Sequence, residues 1–208
     1  MKGSDTIVAT EISSDKVKQL REKTGAGMMD CKKALAETGG DMEKAIDYLR
    51  KKGAATAEKR ADRATNQGVV EAYIHAGGRI GAMVELNCET DFVAKTDDFK
   101  SIAKEIAMQI AAMNPQYIAR EEVTQPVIDR EMEIYRTQAR NEKKPEQIID
   151  KIATGKLEKF FQEVCLLEQT YIKDSGKTIK DLILDVTSKT GEKVTVRRFN
   201  RFHLGENA

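Results

Sequence analysis

The sequence predicts an α+β fold: a small three-helix head, then an antiparallel sheet packed with helices. Three observations lead there. The first fifty or so residues carry apolar positions at helical spacing, punctuated by glycine turns. Two alternating runs then meet at Gly77-Gly78. Longer helical runs follow, and an extended stretch closes the chain.

The head is assigned to residues 1–53. Ser13 or Ser14 caps a first helix whose apolar stripe begins with Val17 and Leu20, and "TGAG" (Thr24 to Gly27) ends it, because glycine enters the left-handed turn at little cost. A second helix covers about Met28 to Glu37 and stops at Gly39-Gly40. Asp41 caps the third, where Met42, Ala45, Ile46 and Leu49 sit at i, i+3, i+4 and i+7. A bundle this small has a thin core and needs support from a partner or from the rest of the chain. Residues 54–66, rich in Ala and charge, read as a linker with some helical character.

Residues 67–208 form the core domain. Val70, Ala72 and Ile74 alternate, "AGGR" turns, and Ile80, Ala82, Val84, Leu86 and Cys88 alternate again. With Gly77-Gly78 as a two-residue turn, Cys88 falls opposite Gln67, so Thr90-Asp91-Phe92 emerges at the sheet end where the linker from the head enters. Head and aromatic tip are therefore expected on one side of the molecule. That register sets the two strands' apolar residues on opposite faces; a longer turn or a bulge would bring them together. Helices are expected at about Asp97 to Met113, Pro126 to Asn141, Pro145 to Leu167 with a break near Gly155, and Thr178 to Lys189. A third strand is expected between Val194 and Leu204.

Composition narrows the function. The 208 residues are 40% hydrophobic and 33% charged, with a formal net charge of +1, so no bulk field points to nucleic acid or an acidic substrate. Basic residues are dispersed and aromatics make up 5%, which weakens a nucleic-acid reader further. No apolar run approaches the ~18–20 residues that span a bilayer, and no secretory signal opens the chain, so a cytoplasmic location is expected. Cys31, Cys88 and Cys165 lie far apart without a C-x-x-C pair and read as reduced thiols.

No familiar catalytic constellation emerges. "SGKT" (Ser175 to Thr178) resembles the end of a phosphate-binding loop, but Tyr171 stands where that loop needs glycine. His75 and Cys88 are about 26 Å apart along the hairpin at ~3.3 Å per residue, too far to pair. Two distant histidines offer no metal site, and the acidic pairs Asp97-Asp98 and Glu121-Glu122 suit helix starts. What remains is Met28-Met29 after the "TGAG" turn, Arg21 beside the first stripe, and Phe92 where the chain should turn polar. On residue chemistry alone, each is open to a plainer reading: the methionines in the bundle core, Arg21 solvated, Phe92 folded under the next helix.

"LREKTGAGMMDCKKAL" (Leu20 to Leu35) and "CETDFVAK" (Cys88 to Lys95) resemble the two most recognisable motifs of the elongation factor Ts family. "CLLEQTYIKDSGKTI" (Cys165 to Ile179) and "FNRFHLGE" (Phe199 to Glu206) extend the resemblance over nearly the whole chain. It implies a head similar to ubiquitin-associated domains and a role as guanine-nucleotide exchange factor for elongation factor Tu, without covalent chemistry. By the same resemblance Thr90, Asp91, Phe92 and Val93 reach the partner's nucleotide-binding domain and disturb its Mg²⁺ site, while Arg21, Met28 and Met29 supply the head's contact. No cofactor is expected, since GDP, GTP and Mg²⁺ belong to the partner. Longer family members carry two related core halves and a protruding helical hairpin. One clear half bearing a β-hairpin is present here, so either one copy suffices or two chains associate and a second copy fills the missing half; the second is favoured, as a homodimer giving a 2:2 complex. A plain binding module whose head takes a peptide or a ubiquitin-like ligand, and a thiol-dependent enzyme using Cys88 or Cys165, stay open beside this.

Overall fold

The computed structural model describes residues 12–206; the start of the head lies outside the described residues. The chain forms two compact units. One comprises the sequence up to Ala64 together with Leu184–Val194, and the other Thr65–Ile183 with the segment from Thr195 onward.

In the first unit, α1 (Ser14–Thr24), α2 (Met28–Glu37) and α3 (Met42–Lys59) form the head. Ser13 accepts a hydrogen bond from the Lys16 amide and Asp41 one from the Lys44 amide, so two helix starts follow the capping rule. Their apolar stripes meet in a core of Val17, Leu20, Ala26, Cys31, Ala34, Leu35, Ala45 and Leu49. α3 runs past Gly53, where an added Cβ would stand 2.6 Å from Ser188 Oγ. The later segment of this unit lies against the head, Ser188 beside Gly53 and Lys189 beside Gly25.

The second unit is built on a three-stranded antiparallel sheet whose central strand lies between the first and the last strands of the chain. β1 (Gln67–Ile74) pairs with β2 (Ile80–Cys88) in the register the sequence predicts, Gln67 opposite Cys88 and Ile74 opposite Gly81. The connection, residues 76–79, differs from a two-residue turn: Gly78 N–H donates to the His75 carbonyl, and Gly77 and Gly78 both have positive φ. Strand order and register are unaffected.

After β2 comes a single helical turn, α4 (Asp91–Ala94), then α5 (Asp97–Met113), which packs on β1 and β2 through fully buried Phe99, Ile106 and Ile110. Burial of each such side chain contributes roughly 1.5–3 kcal/mol. α6 (Gln125–Asn141) and α7 (Glu146–Val164) form an antiparallel helix pair. The break expected at Gly155 is absent. Gly155 faces open space, and its cost of ~1 kcal/mol does not interrupt a 19-residue helix. A small ribbon of β3 (Thr170–Tyr171) and β4 (Asp174–Thr178), not foreseen from the sequence, leads into α8 (Ile179–Thr190). β5 (Thr195–His203) then completes the sheet beside β2, with a bulge opposite Glu85 and Leu86.

The sheet's two faces differ sharply. Ala82, Val84, Leu86 and Val196 are buried toward α5, whereas Val70, Ile74, Met83, Phe202 and Leu204 are exposed. The alternation in β1 is real, but its apolar set points away from the helices. Across the strands this outer face reads in rows: Val70, Glu85 and Arg198; Ala72, Met83 and Asn200; Ile74, Gly81 and Phe202.

Candidate functional site: two exposed apolar tips

The first tip is in the head. Gly25 ends α1 with φ of 68°, and its N–H donates to the Arg21 carbonyl at 2.7 Å. The position favours glycine for its left-handed backbone; an added Cβ would also lie 2.2 Å from Lys189 Cε, the far end of a flexible side chain that can move aside. Thr24 Oγ1 donates to the Leu20 carbonyl and accepts from Ala26 N–H, and the Cys31 thiol donates to the Ala26 carbonyl. Ala26 is buried beneath the turn. This scaffold sets Met28 and Met29 at the start of α2, 44% and 75% exposed, with the Arg21 side chain also exposed. Neither methionine fills the bundle core.

The second tip is α4. Thr90 caps it, its Oγ1 accepting from Val93 N–H. The fully buried Cys88 thiol donates to the Thr90 carbonyl at 3.1 Å, tying the tip's root to β2. Ala94 is buried, and Thr96 Oγ1 donates to the Val93 carbonyl at 2.8 Å while accepting from Phe99 N–H at the start of α5. Lys95 Nζ reaches back to Asp91 Oδ2 at 2.5 Å. That bond, with the charge of Lys95, holds the Asp91 carboxyl below the usual carboxylate range. Phe92 projects from this turn, 80% exposed. It does not fold under α5; Phe99 occupies that place.

Thr90, Asp91, Phe92 and Val93 are thus gathered on one turn, and Arg21, Met28 and Met29 surround another. Sequence reasoning missed the helical state of α4 and the parts played by Cys88, Lys95 and Thr96. The signal was there in the threonines flanking the tip and in the Asp91–Lys95 spacing of four.

The thiols have no setting for nucleophilic work. Cys88 and Cys165 are fully buried, and burial, with the charge of Glu168, pushes the Cys165 thiol up to about 11. Among the described residues no cluster of three or more His, Cys, Asp or Glu is placed to hold a metal ion, and no helix is long and apolar enough to cross a membrane.

The family model for elongation factor TS matches residues 8–206. The chain belongs to the elongation factor Ts family. It is 62% identical to elongation factor Ts of Desulforamulus reducens over 94% of this chain and 90% of that one. It is 61% identical to elongation factor Ts of Thermoanaerobacter sp. over 94% and 96% of the two chains. Against that of Thermotoga petrophila it is 59% identical over 94% and 98%. The family consists of guanine-nucleotide exchange factors of translation elongation. The match covers nine-tenths or more of each of these relatives.

Proposed function

We propose that the chain binds elongation factor Tu in its GDP-bound state and promotes GDP release by inserting Phe92 beside the partner's Mg²⁺ and phosphate site. The observation that carries this reading is the mounting of Phe92: a large apolar ring, four-fifths exposed, on a turn fastened at both ends to a buried core. An aromatic ring held in water by design is stabilised when a partner covers it. Burying it contributes roughly 1.5–3 kcal/mol, available to displace a neighbouring element in the partner. Mg²⁺ demands near-ideal octahedral geometry at ~2.0–2.1 Å, so small shifts in its surroundings weaken its hold. Exchange factor and nucleotide then favour different conformations of one protein, and linkage makes the weakening mutual. Asp91, Thr90 and Val93 frame the insertion, while Arg21, Met28 and Met29 anchor the head on the same partner. On this reading the chain performs no covalent step, takes no cofactor of its own and contacts no nucleic acid. Nucleotide and Mg²⁺ belong to the partner.

The reading extends to assembly. The outer face of the β1-β2-β5 sheet joins two copies of the chain and supplies the second core half, giving a 2:2 complex. Two features support a second copy as the occupant. The apolar side chains Val70, Ile74, Met83 and Phe202 are exposed on one face. Beside them Glu85 and Arg198 pair at 2.7 Å, so each copy offers both signs of charge to a two-fold mate. The deciding experiment is release of a fluorescent GDP analogue from elongation factor Tu by the chain and its Phe92→Ala variant. Acceleration by the first and its loss in the second is the expected outcome. Equal acceleration by both would leave the function and remove the wedge.

A further inference from the structure

A helix of one turn does not hold itself together, because fixing its first turn costs more than the few hydrogen bonds formed return. α4 is nevertheless helical. Its two ends are fastened by Cys88, Ala94 and Thr96, all outside the contact assigned to the partner or turned away from it. Lys95 is different. Its ammonium spans the turn to Asp91, a side chain that belongs to the proposed contact, and does so at the surface: the two side chains are 74% and 47% exposed. Asp preceding Lys by four residues is the favourable order along a helix. The pair therefore lies where a partner meets it and acts along the turn that carries Phe92.

We propose that Lys95 is a positioning residue for exchange: it holds the Asp91 carboxylate, and with it the single turn bearing Phe92, in the conformation that docks. The proposal rests on the reading of Asp91 and Phe92 as partner contacts. Lys95 moves an ordering cost out of the binding step and into the fold. Once the complex has formed, the partner itself holds the turn, so Lys95 contributes to the concentration needed for docking and not to the rate within the complex. The expected effect is modest, because an exposed pair at this spacing is weak and screened by salt.

The test compares the wild-type chain with Lys95→Met, which keeps the stem and removes the charge, and Lys95→Arg, which keeps both. GDP release from elongation factor Tu is followed against chain concentration at low and high salt, and the Asp91 carboxyl is titrated by NMR. For Lys95→Met the half-saturating concentration should rise about 1.5- to twofold at low salt, in proportion to the strength of such a pair. The maximal rate should hold, the difference should shrink at high salt, and Asp91 should titrate nearer the ordinary carboxylate value. Lys95→Arg should match the wild type on every count. An unchanged Asp91 titration or an unchanged half-saturating concentration in Lys95→Met would overturn the proposal. So would a fallen maximal rate, or an equal defect in Lys95→Arg. If the wild-type chain fails to accelerate release, the exchange reading itself falls. The carboxyl titration still shows separately whether Lys95 holds Asp91.

Discussion

Met29 and Phe92 are both large, apolar and mostly in water, yet they are supported in different ways. Met29 stands on a turn whose geometry comes from a left-handed glycine and from hydroxyl and thiol bonds to backbone, over the thin core of the head. Phe92 stands on a turn clasped between a central strand and a helix whose inner face is buried, with Phe99 fully enclosed beneath. A methionine is flexible and adapts to the surface it meets, whereas a phenylalanine on a fixed mount delivers its ring to one place. The difference suits an anchor and a wedge, and substitutions separate the two.

The largest expected effect is at the wedge. Phe92→Ala should lower GDP-release acceleration about 10- to 100-fold, the equivalent of the ~1.5–3 kcal/mol that burial of the ring contributes. Because the ring is solvated in the chain alone, thermal unfolding should be unchanged. A lowered melting temperature would mean that Phe92 supports its own fold, and the contrast with Phe99 would collapse.

Next in size is the head's scaffold. Gly25→Ala places a Cβ in a left-handed backbone and against the Lys189 side chain. The lysine's far end can shift, so the backbone dominates, at roughly 1–2 kcal/mol. Melting of the head should come earlier, and the half-saturating concentration for exchange should rise. Phe92→Ala and Gly25→Ala should thus show opposite patterns, one losing activity with stability kept and the other losing stability first. Identical patterns would erase the distinction between anchor and wedge.

A comparable effect is expected at the outer sheet face. Phe202→Asp puts a charge among exposed apolar residues, where burial against a second copy would leave it unpaired. Sedimentation should show the wild type as a dimer and the variant shifted to monomer. A wild-type monomer at micromolar concentration would remove the pairing without touching either tip.

These contrasts mark what was legible in the sequence. The caps at Ser13 and Asp41, the stop at Gly25 and the register of the hairpin were readable because each depends on a few adjacent residues. The face to which β1 turns Val70, Ala72 and Ile74 was not, because alternation shows which residues share a side and never which side is covered. The pairing of β1 with β2 has no bulge to reconcile the faces; the sheet's bulge lies between β2 and β5. α4 escaped because one turn is too short to show a period. Met28, Met29, Arg21 and Phe92 stood out on residue chemistry with a plainer reading open to each; resemblance added Thr90, Asp91 and Val93, and the exposure of Phe92 became evident only once Phe99 was seen to fill the place under α5.

The smallest expected effect is at the head's tip. Met29, the more exposed of the two methionines, loses less packing within the chain than Met28 on truncation, so Met29→Ala should leave melting unchanged and Met28→Ala should lower it slightly. If both side chains meet the partner, each should raise the half-saturating concentration only a few-fold, since truncating most interface residues costs about 1 kcal/mol or less. The maximal rate should not move, because an anchor sets occupancy while the wedge sets what occupancy achieves. A fall in maximal rate for Met29→Ala at saturating concentration would place the head within the displacement step itself, and the division of labour drawn from the two mounts would have to be abandoned.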